Sequence, residues 1–288
     1  MPNSQHIFIT GATSGLGKAA ALHLAANGAV VIAASRDPEK GASLLSDYRE
    51  TYPKGKGRIE LVACDLNSFD SVTMACEEVA ESYEHLDMII NNAGIMNFKF
   101  RESKNGIEET WQVNLLSPML IAHLLIHKFK NVLEPKLIFT TSGLHRGIID
   151  FDDPEWRRKK YVGYKCYSQS KLGVILMTRL LAQKLTEKEI GVYTHHPGLV
   201  NTNLSRSAGW LSTFIFNRMG TTPEKGAQTL IHLAETPNDE LVSGEYYTKS
   251  HVAKTAPGAY DMDAAEALLT LVKGYLKKYI QEESLIFS

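Results

Sequence analysis

Short apolar runs alternate along the chain with longer segments in which apolar residues recur at helical spacing. Seven of the short runs are rich in Val, Ile, Phe, Tyr and Thr and predict β-strands: HIFIT (6–10), AVVIAAS (29–35), RIELVACD (58–65), LDMIIN (86–91), KLIFTT (136–141), GVYTHH (191–196) and GEYYTK (244–249). Most are nearly continuous in apolar residues, as in strands buried on both faces. The alternation predicts an α/β fold with a doubly wound parallel sheet of about seven strands and helices on both faces.

Nothing in the chain separates one part from another. The 288 residues contain no linker, internal repeat or low-complexity stretch. We therefore predict a single domain over residues 1–288.

The first predicted strand runs directly into TGATSGLG (10–17), and a helical pattern follows. Glycines between a strand and a helix allow a tight turn and let the backbone approach a pyrophosphate. The helix N-terminus adds amide donors and partial positive charge. A glycine turn with a purely structural role is the alternative, but this position favours a dinucleotide site of the Rossmann type.

Further motifs follow in a fixed order: CDL (64–66), NNAG (91–94), VN (113–114), Ser142, a Tyr-x3-Lys pair and HPGLVNT (196–202). With TGATSGLG, which fits T-G-x3-G-x-G, they resemble the classical short-chain dehydrogenase/reductase family. Extended relatives of that family need a glycine where Ser14 stands. TSGLHRG and SRDPEKG are most similar to the retinol-dehydrogenase and WW-domain-oxidoreductase branch.

A tyrosine stands four residues before a lysine twice, at Tyr161–Lys165 and at Tyr167–Lys171. Such a pair shares one helix face, where the ammonium can favour the phenolate and lower the tyrosine pKa. Tyr167 lies 25 residues after Ser142, which suits the retinol-dehydrogenase-like branch, and Lys171 opens a long apolar helical pattern. We therefore predict Tyr167 and Lys171 as the working pair and place the other pair in a loop and a helix start.

The resemblance implies hydride exchange between a nicotinamide cofactor and a carbonyl or alcohol carbon. Tyr167 would be the general acid in reduction and the general base in oxidation. Ser142 would hydrogen-bond the substrate oxygen, and Lys171 would hold down the tyrosine pKa and bind the ribose. Asn114 completes the family's catalytic set, although an asparagine in an ordinary helical turn is the plainer interpretation of that residue.

The resemblance also assigns a set of cofactor-binding residues, with Asp65 on the adenine side. The set comprises Gly11, Thr13, Ser14, Gly15, Leu16, Gly17, Arg36, Asp65, Leu66, Asn92, Ala93, Gly94, Tyr167, Lys171, Pro197, Gly198, Val200 and Thr202.

The choice between NADP(H) and NAD(H) depends on the end of the second predicted strand. An arginine there often binds the 2′-phosphate of NADP, whereas a carboxylate binds the 2′-hydroxyl of NAD. Arg36 and Asp37 compete for this role, but DPEK predicts Asp37 as a helix N-cap. We therefore favour NADP(H) and keep NAD(H) as the alternative.

After HPGLVNT the family pattern loosens, and an apolar segment at 203–222 carries Trp210 and Phe214. If it forms a substrate lid, the substrate is hydrophobic, such as a retinoid, a steroid or a fatty aldehyde. A core helix is the other interpretation. Two other functions stay open: a reductase of a soluble ketone, quinone or secondary metabolite, and an NADP-binding regulator without chemistry. The intact Ser142, Tyr167 and Lys171 argue against the regulator.

Composition narrows the class of protein. A net charge of −1 and no long basic run argue against a nucleic-acid partner, so the expected partner is a small carbonyl or alcohol substrate, with a homodimer left open. Three scattered cysteines, no signal sequence and no apolar run of ~18 residues predict a soluble cytoplasmic protein. His123 and His127 have the spacing of zinc ligands but lack the Glu of H-E-x2-H, so we expect core or interface histidines and no metal.

Overall fold

A computed structural model describes residues 4–198, 222–280 and 285–287, and the strands of this part form one sheet. In chain order the strands are β1 His6–Thr10, β2 Val30–Ser35, β3 Arg58–Ala63, β4 Met88–Asn91, β5 Lys136–Thr140, β6 Gly191–His196, β7 Tyr246–Thr248 and β8 His251–Val252. The sheet order is β3-β2-β1-β4-β5-β6-β7-β8. All neighbours run parallel except β7 and β8. The predicted α/β fold is confirmed, and each of the seven predicted strands is present.

The eighth strand escaped prediction because it is two residues long and exposed. It joins β7 through a tight turn in which Lys249 and Ser250 have φ values of 51° and 63°. Neither residue is a glycine or an asparagine, so the sequence lacks the usual signal of such a hairpin.

The α-helices lie in the connections between strands and after β8. They are α1 Gly15–Ala26, α2 Pro38–Thr51, α3 Phe69–Ser82, α4 Glu109–Trp111, α5 Ser117–Leu125, α6 Gly163–Lys184, α7 Pro223–Glu235 and α8 Met262–Leu276. A π-helical turn, Gln112–Leu116, joins α4 to α5, and short 3₁₀ turns span Ile126–Phe129, Thr186–Lys188, Asn238–Glu240 and Pro257–Tyr260. In the part of the chain described, no helix is both long enough and apolar enough to cross a membrane.

Both faces of the sheet are buried, as the continuous apolar strands predict. Ile7 and Ile9 of β1 pack in a cluster with residues of α1, α2 and α7 on one face. Phe8, between them in the sequence, packs on the other face in a cluster that includes residues of α3, α5, α6 and α8. Alternate residues of one strand therefore enter two separate cores. The assignment of one domain to the whole of 1–288 stays a prediction.

The order of the strands determines where a ligand can bind. The chain builds β1, β2 and β3 outward in one direction and then returns to add β4 on the other side of β1. The connections after β1 and β4 therefore diverge and leave a crevice at the carboxyl ends of these strands.

Candidate active site

A cleft of about 630 Å³ opens at the carboxyl ends of the strands, at the crevice between β1 and β4. It lies within the size range of small-molecule and cofactor sites. Most of the residues predicted for the cofactor and the chemistry line it: Gly11, Thr13, Ser14, Gly15, Leu16, Gly17, Arg36, Asp65, Leu66, Asn92, Ala93, Gly94, Ser142, Tyr167, Lys171, Pro197 and Gly198.

Asn114 does not line this cleft and lies behind its wall, 2 % exposed. Val200, Thr202, Trp210 and Phe214 fall outside the described residues, so the predicted lid stays a prediction.

The glycine turn after β1 has little room for side chains. Gly11 and Gly15 have φ values of +70° and +56°, a region that favours glycine. A Cβ at Gly17 would lie 2.3 Å from the Gly11 carbonyl oxygen and 2.3 Å from Asn92 Nδ2. The three glycines therefore let the loop fold tightly against the end of β4.

The N-terminus of α1 faces the cleft without an anionic or capping side chain. Ser14 occupies the N-cap position in an extended conformation and makes no side-chain cap hydrogen bond, and the first turn contains no acidic residue. The first amide groups of α1 therefore keep their capacity to donate to an anion. A dinucleotide pyrophosphate fits this part of the cleft, both in charge and in the close approach that the glycines permit.

Asn92 and Thr10 hold the glycine turn to β4. The Thr10 hydroxyl oxygen accepts hydrogen bonds from the amides of Asn92 and Ala93, each at 3.0 Å. Asn92 Nδ2 donates to the Thr10 carbonyl oxygen at 2.9 Å. The side chain of Asn92 thus fixes the glycine turn against the end of β4.

Ser142, Tyr167 and Lys171 lie together in the cleft. They are 8 %, 7 % and 2 % exposed, respectively. Lys171 Nζ donates to the Thr140 carbonyl oxygen at 3.0 Å and lies 5.8 Å from the centroid of the Tyr167 ring. Ser142 Oγ accepts from the Leu144 amide at 3.1 Å, which leaves the serine hydrogen available for another acceptor.

Burial controls the protonation of this group. Burial raises the pKa of Tyr167, and a hydrogen bond with the Ser142 hydroxyl opposes this rise. Burial lowers the pKa of Lys171 to about 8. In this arrangement the Tyr167 pKa is raised, opposite to the predicted direction, because desolvation penalises the phenolate and the Lys171 ammonium donates to the Thr140 carbonyl.

Asn114 lies in the π-helical turn and not in an ordinary α-helical one. Its Oδ1 accepts from the Ile95 amide at 2.8 Å, and its Nδ2 donates to the Ile95 carbonyl oxygen at 2.9 Å and to Ser170 Oγ at 3.0 Å. The asparagine thus joins the loop after β4 to α6. Single-turn π-helices occur frequently at functional sites.

The second tyrosine–lysine pair lies apart from the cleft. Tyr161 precedes the first residue of α6, and Lys165 is exposed in its first turn, as predicted. The Tyr161 hydroxyl donates to Glu108 Oε1 at 2.8 Å. Burial raises the pKa of Tyr161.

The end of β2 presents two cations and one carboxylate to the cleft. Asp37 caps α2, accepting from the amides of Glu39 and Lys40 at 3.1 and 3.3 Å, so its predicted N-cap role is confirmed. Its carboxylate also lies 3.4 Å from the Lys40 ammonium. Arg36 is exposed, and its guanidinium has no hydrogen bond or ion pair with any residue of the described chain. Lys40, whose place in the site the sequence does not predict, also lines the cleft.

Two histidines near Ser142 were not predicted as site residues. His145 lies in TSGLHRG and His196 in HPGLVNT, two of the motifs that resemble the family's. His196 lines the cleft, and burial lowers its pKa to about 4. His145 Nδ1 lies 2.6 Å from the Ser142 carbonyl oxygen, and its Nε2 accepts from the Ala256 amide at 3.1 Å. His145 is therefore a neutral link that ties the Ser142 loop to the segment after β8.

Neither of the two histidines at zinc-ligand spacing lines the cleft. His123 is half-buried in α5, and His127 is exposed in the following 3₁₀ turn. At the amino-terminal edge of the sheet, ligand atoms of His6, His85 and Asp87 lie within 4.8 Å of one another. The Asp87 carboxylate already accepts from the His6 amide at 2.7 Å, which accounts for its position.

Residues 5–209 match the family described as short chain dehydrogenase. The chain is 35 % identical to human retinol dehydrogenase 14 over 280 residues, which covers 91 % of this chain and 83 % of the relative. It is 34 % identical to human retinol dehydrogenase 13, covering 91 % and 81 %.

Solved structures agree on the fold. An uncharacterized protein from Mycobacterium Paratuberculosis aligns with a TM-score of 0.76 at 28 % identity, covering 95 % of this chain and 93 % of that one. An NADPH-bound carbonyl reductase from chicken fatty liver aligns with a TM-score of 0.65 at 20 % identity, covering 88 % and 99 %. The latter likeness concerns the fold alone.

Proposed function

The chain belongs to the short chain dehydrogenase family and is an NAD(P)-dependent oxidoreductase acting on CH–OH and C=O groups, and from this premise we propose that it uses NADP(H), with Tyr167 as the proton-transferring residue and a hydrophobic carbonyl or alcohol as substrate. When bound, the nicotinamide supplies or accepts the hydride at the substrate carbon.

The observation that carries the proposal is the convergence of Ser142, Tyr167 and Lys171 on one end of the cleft. Burial keeps Tyr167 neutral near pH 7, so that its hydroxyl holds a proton to give to a carbonyl oxygen. The Ser142 hydrogen donates to the same oxygen as negative charge develops there.

Lys171 has two tasks in this scheme. Below its pKa of about 8 it carries a positive charge, which stabilises the phenolate left when Tyr167 gives up its proton. Its ammonium donates one hydrogen bond, to the Thr140 carbonyl, among the described residues, and its other two hydrogens can donate to the ribose hydroxyls. Asn114 holds the loop after β4 in place beside this lysine.

The preference for NADP(H) is supported by the charges at the end of β2. Arg36 lines the cleft, and its guanidinium has no partner among the residues that the structure describes; Lys40 lines the cleft four residues further along the chain. Asp37, the residue that would select NAD(H), has its carboxylate engaged by two amides and an ammonium. Two cations and an occupied carboxylate favour a bound 2′-phosphate.

The hydrophobic substrate is supported by the apolar side chains at the catalytic end, where Ile95, Met96 and Leu144 line the cleft. The names of the relatives, retinol dehydrogenases at 34–35 % identity, point to the same class. The proposed substrate is a retinoid, a steroid or a fatty aldehyde. The alternative is a soluble ketone or quinone, which would gain less from contact with these apolar side chains.

A carbonyl panel tests the proposal. Retinal, a steroid ketone and decanal are compared with soluble ketones and quinones, each with NADPH and with NADH, by following cofactor oxidation. We expect the highest kcat/KM for the apolar group with NADPH. Turnover restricted to soluble substrates would refute the substrate class, and NADPH binding without turnover of any compound would favour a regulator.

A further inference from the structure

Glu108 is a fully buried carboxylate, at 0 % exposure, beside the proposed catalytic residues. No lysine or arginine in the described ranges lies within ion-pair distance of it. Three neutral donors surround it instead. Oε2 accepts from the Trp111 amide at 2.7 Å and from Cys166 Sγ at 3.1 Å, and Oε1 accepts from the Tyr161 hydroxyl at 2.8 Å. Burying a carboxylate costs free energy unless donors hydrogen-bond to it, so these three hydrogen bonds hold Glu108 in one position.

The donors come from two different elements that meet at this carboxylate. The Trp111 amide belongs to α4, which Glu108 caps and which runs directly into the π-helical turn that contains Asn114. Cys166 precedes Tyr167 on α6. One carboxylate therefore fixes the start of the Asn114 segment and the turn of α6 that presents the proposed acid.

The cluster also reaches the wall of the cleft. The Tyr161 hydroxyl lies 3.2 Å from the Asn97 carbonyl oxygen, and Asn97 lines the cleft. On the other side, the Glu108 amide donates to Glu155 Oε2 at 2.9 Å, and Glu155 Oε1 accepts from Tyr275 of α8 at 2.9 Å. Displacement of Glu108 would thus loosen several segments that surround the site.

We propose that Glu108 is a positioning residue, which sets the distance and angle between the Asn114 segment and the Tyr167 helix through its hydrogen bonds. The proposal rests on the proposed role of Tyr167. Catalytic groups must be held within about 0.5 Å of their productive geometry, and supporting hydrogen bonds supply that precision. The hydrogen-bond geometry of Glu108, and not its charge, performs the task, because all three partners are neutral donors.

Glu108→Gln and Glu108→Ala separate geometry from charge. The glutamine amide oxygen can accept from Trp111 and Cys166, and its nitrogen can donate to the Tyr161 oxygen, whose hydrogen then turns to the Asn97 carbonyl. We expect the glutamine variant to keep kcat within about 3-fold of the parent. The alanine variant should lose about 10-fold or more in kcat, while its Kd for NADPH changes less than 2-fold.

The pH profile of kcat gives a readout that mere destabilisation does not move. In Glu108→Ala the displaced Tyr167 should titrate differently, so the profile shifts, whereas Glu108→Gln keeps the parent profile. Circular dichroism and thermal unfolding establish that each variant is folded at the assay temperature. Two results would overturn the proposal. One is a parent-like kcat and a parent-like pH profile in both variants. The other is an equal loss of kcat in both variants, since that result would make the charge of Glu108 essential.

Tyr161→Phe combined with Cys166→Ala decides the matter if Glu108→Ala does not fold. This double variant removes the two donors on the α6 side and leaves the cap of α4 intact. We expect a similar loss of kcat, and full kcat would overturn the proposal. Tyr167→Phe is measured in parallel: an active Tyr167→Phe refutes the proposed function, whereas an inactive Tyr167→Phe beside a fully active Glu108→Ala refutes only the role of Glu108.

Discussion

At the scale of single residues, Tyr161 and Tyr167 show how one spacing can serve two purposes. Both stand four residues before a lysine, but Tyr167 faces the cleft while Tyr161 donates to a buried carboxylate. The distance from Ser142 and the apolar helix that follows distinguish, in the sequence, the pair that lines the cleft from the pair that does not. The partners of Glu108 and His145 cannot be predicted in this way, because contacts such as Cys166–Glu108 and Ala256–His145 join residues that the chain keeps far apart.

Arg36→Ala tests the proposed contact with the 2′-phosphate. Loss of a charge-assisted hydrogen bond, about 1.5–3 kcal/mol, should raise the Kd for NADPH by about 10- to 160-fold. The Kd for NADH should change little, because NADH lacks the phosphate. Fluorescence titration measures both constants. Arg158→Ala, an exposed arginine outside the cleft, is the matched control, and equal weakening of both cofactors in Arg36→Ala would remove the argument.

At the scale of elements, the sequence predicted the first seven strands within two residues at each end, and the capped start of α2, because these features depend on local composition. The predicted strand ending at Asp65 ends at Ala63 instead, since the ladder with β2 stops where Ser35 pairs with Ala63. The π-helical turn around Asn114 was not predicted, because its apolar spacing resembles that of an α-helix. Pairing and helix type depend on neighbours that periodicity does not reveal.

Asp37 allows the two roles of one carboxylate to be separated. Asp37→Asn keeps a good N-cap, so the midpoint of thermal unfolding should stay near that of the parent. Asp37→Ala removes the cap of α2 and should lower that midpoint by about 2–4 °C. In both variants the preference for NADPH over NADH should hold or rise, since an anion beside the 2′-phosphate is lost. A selective loss of NADH binding in Asp37→Asn would instead make Asp37 a ribose ligand.

At the scale of the whole molecule, one sheet with two buried faces forms the cleft where the strand order reverses, between β1 and β4. Many titratable groups are buried in this fold. Burial lowers the pKa of five of the ten histidines: His123, His127, His145, His195 and His196. For His195 and His196 the pKa falls to about 3 and about 4. The native protein therefore keeps these imidazoles neutral where the unfolded chain protonates them.

Stability should therefore fall as the solution becomes acidic. The unfolded histidine pKa is about 6.5, so between pH 6.5 and 4 the unfolded state binds more protons and the free energy of unfolding decreases. Each histidine that is neutral only in the native state contributes up to about 1.4 kcal/mol per pH unit. Urea unfolding between pH 8 and pH 5 measures the slope. His195→Gln should reduce that slope by about one proton, and an unchanged slope would show that His195 does not titrate on unfolding.

The central claim, that Tyr167 and not Tyr161 transfers the proton, is tested most directly by steady-state NADPH oxidation with one accepted carbonyl substrate. Tyr167→Phe removes one hydroxyl and little packing, so the fold and NADPH binding should survive while kcat falls by about 10²–10⁴. Tyr161→Phe, the matched control, removes one of three donors to Glu108 and leaves those of Trp111 and Cys166, so kcat should stay within a few-fold of the parent. An active Tyr167→Phe together with an inactive Tyr161→Phe would contradict the account.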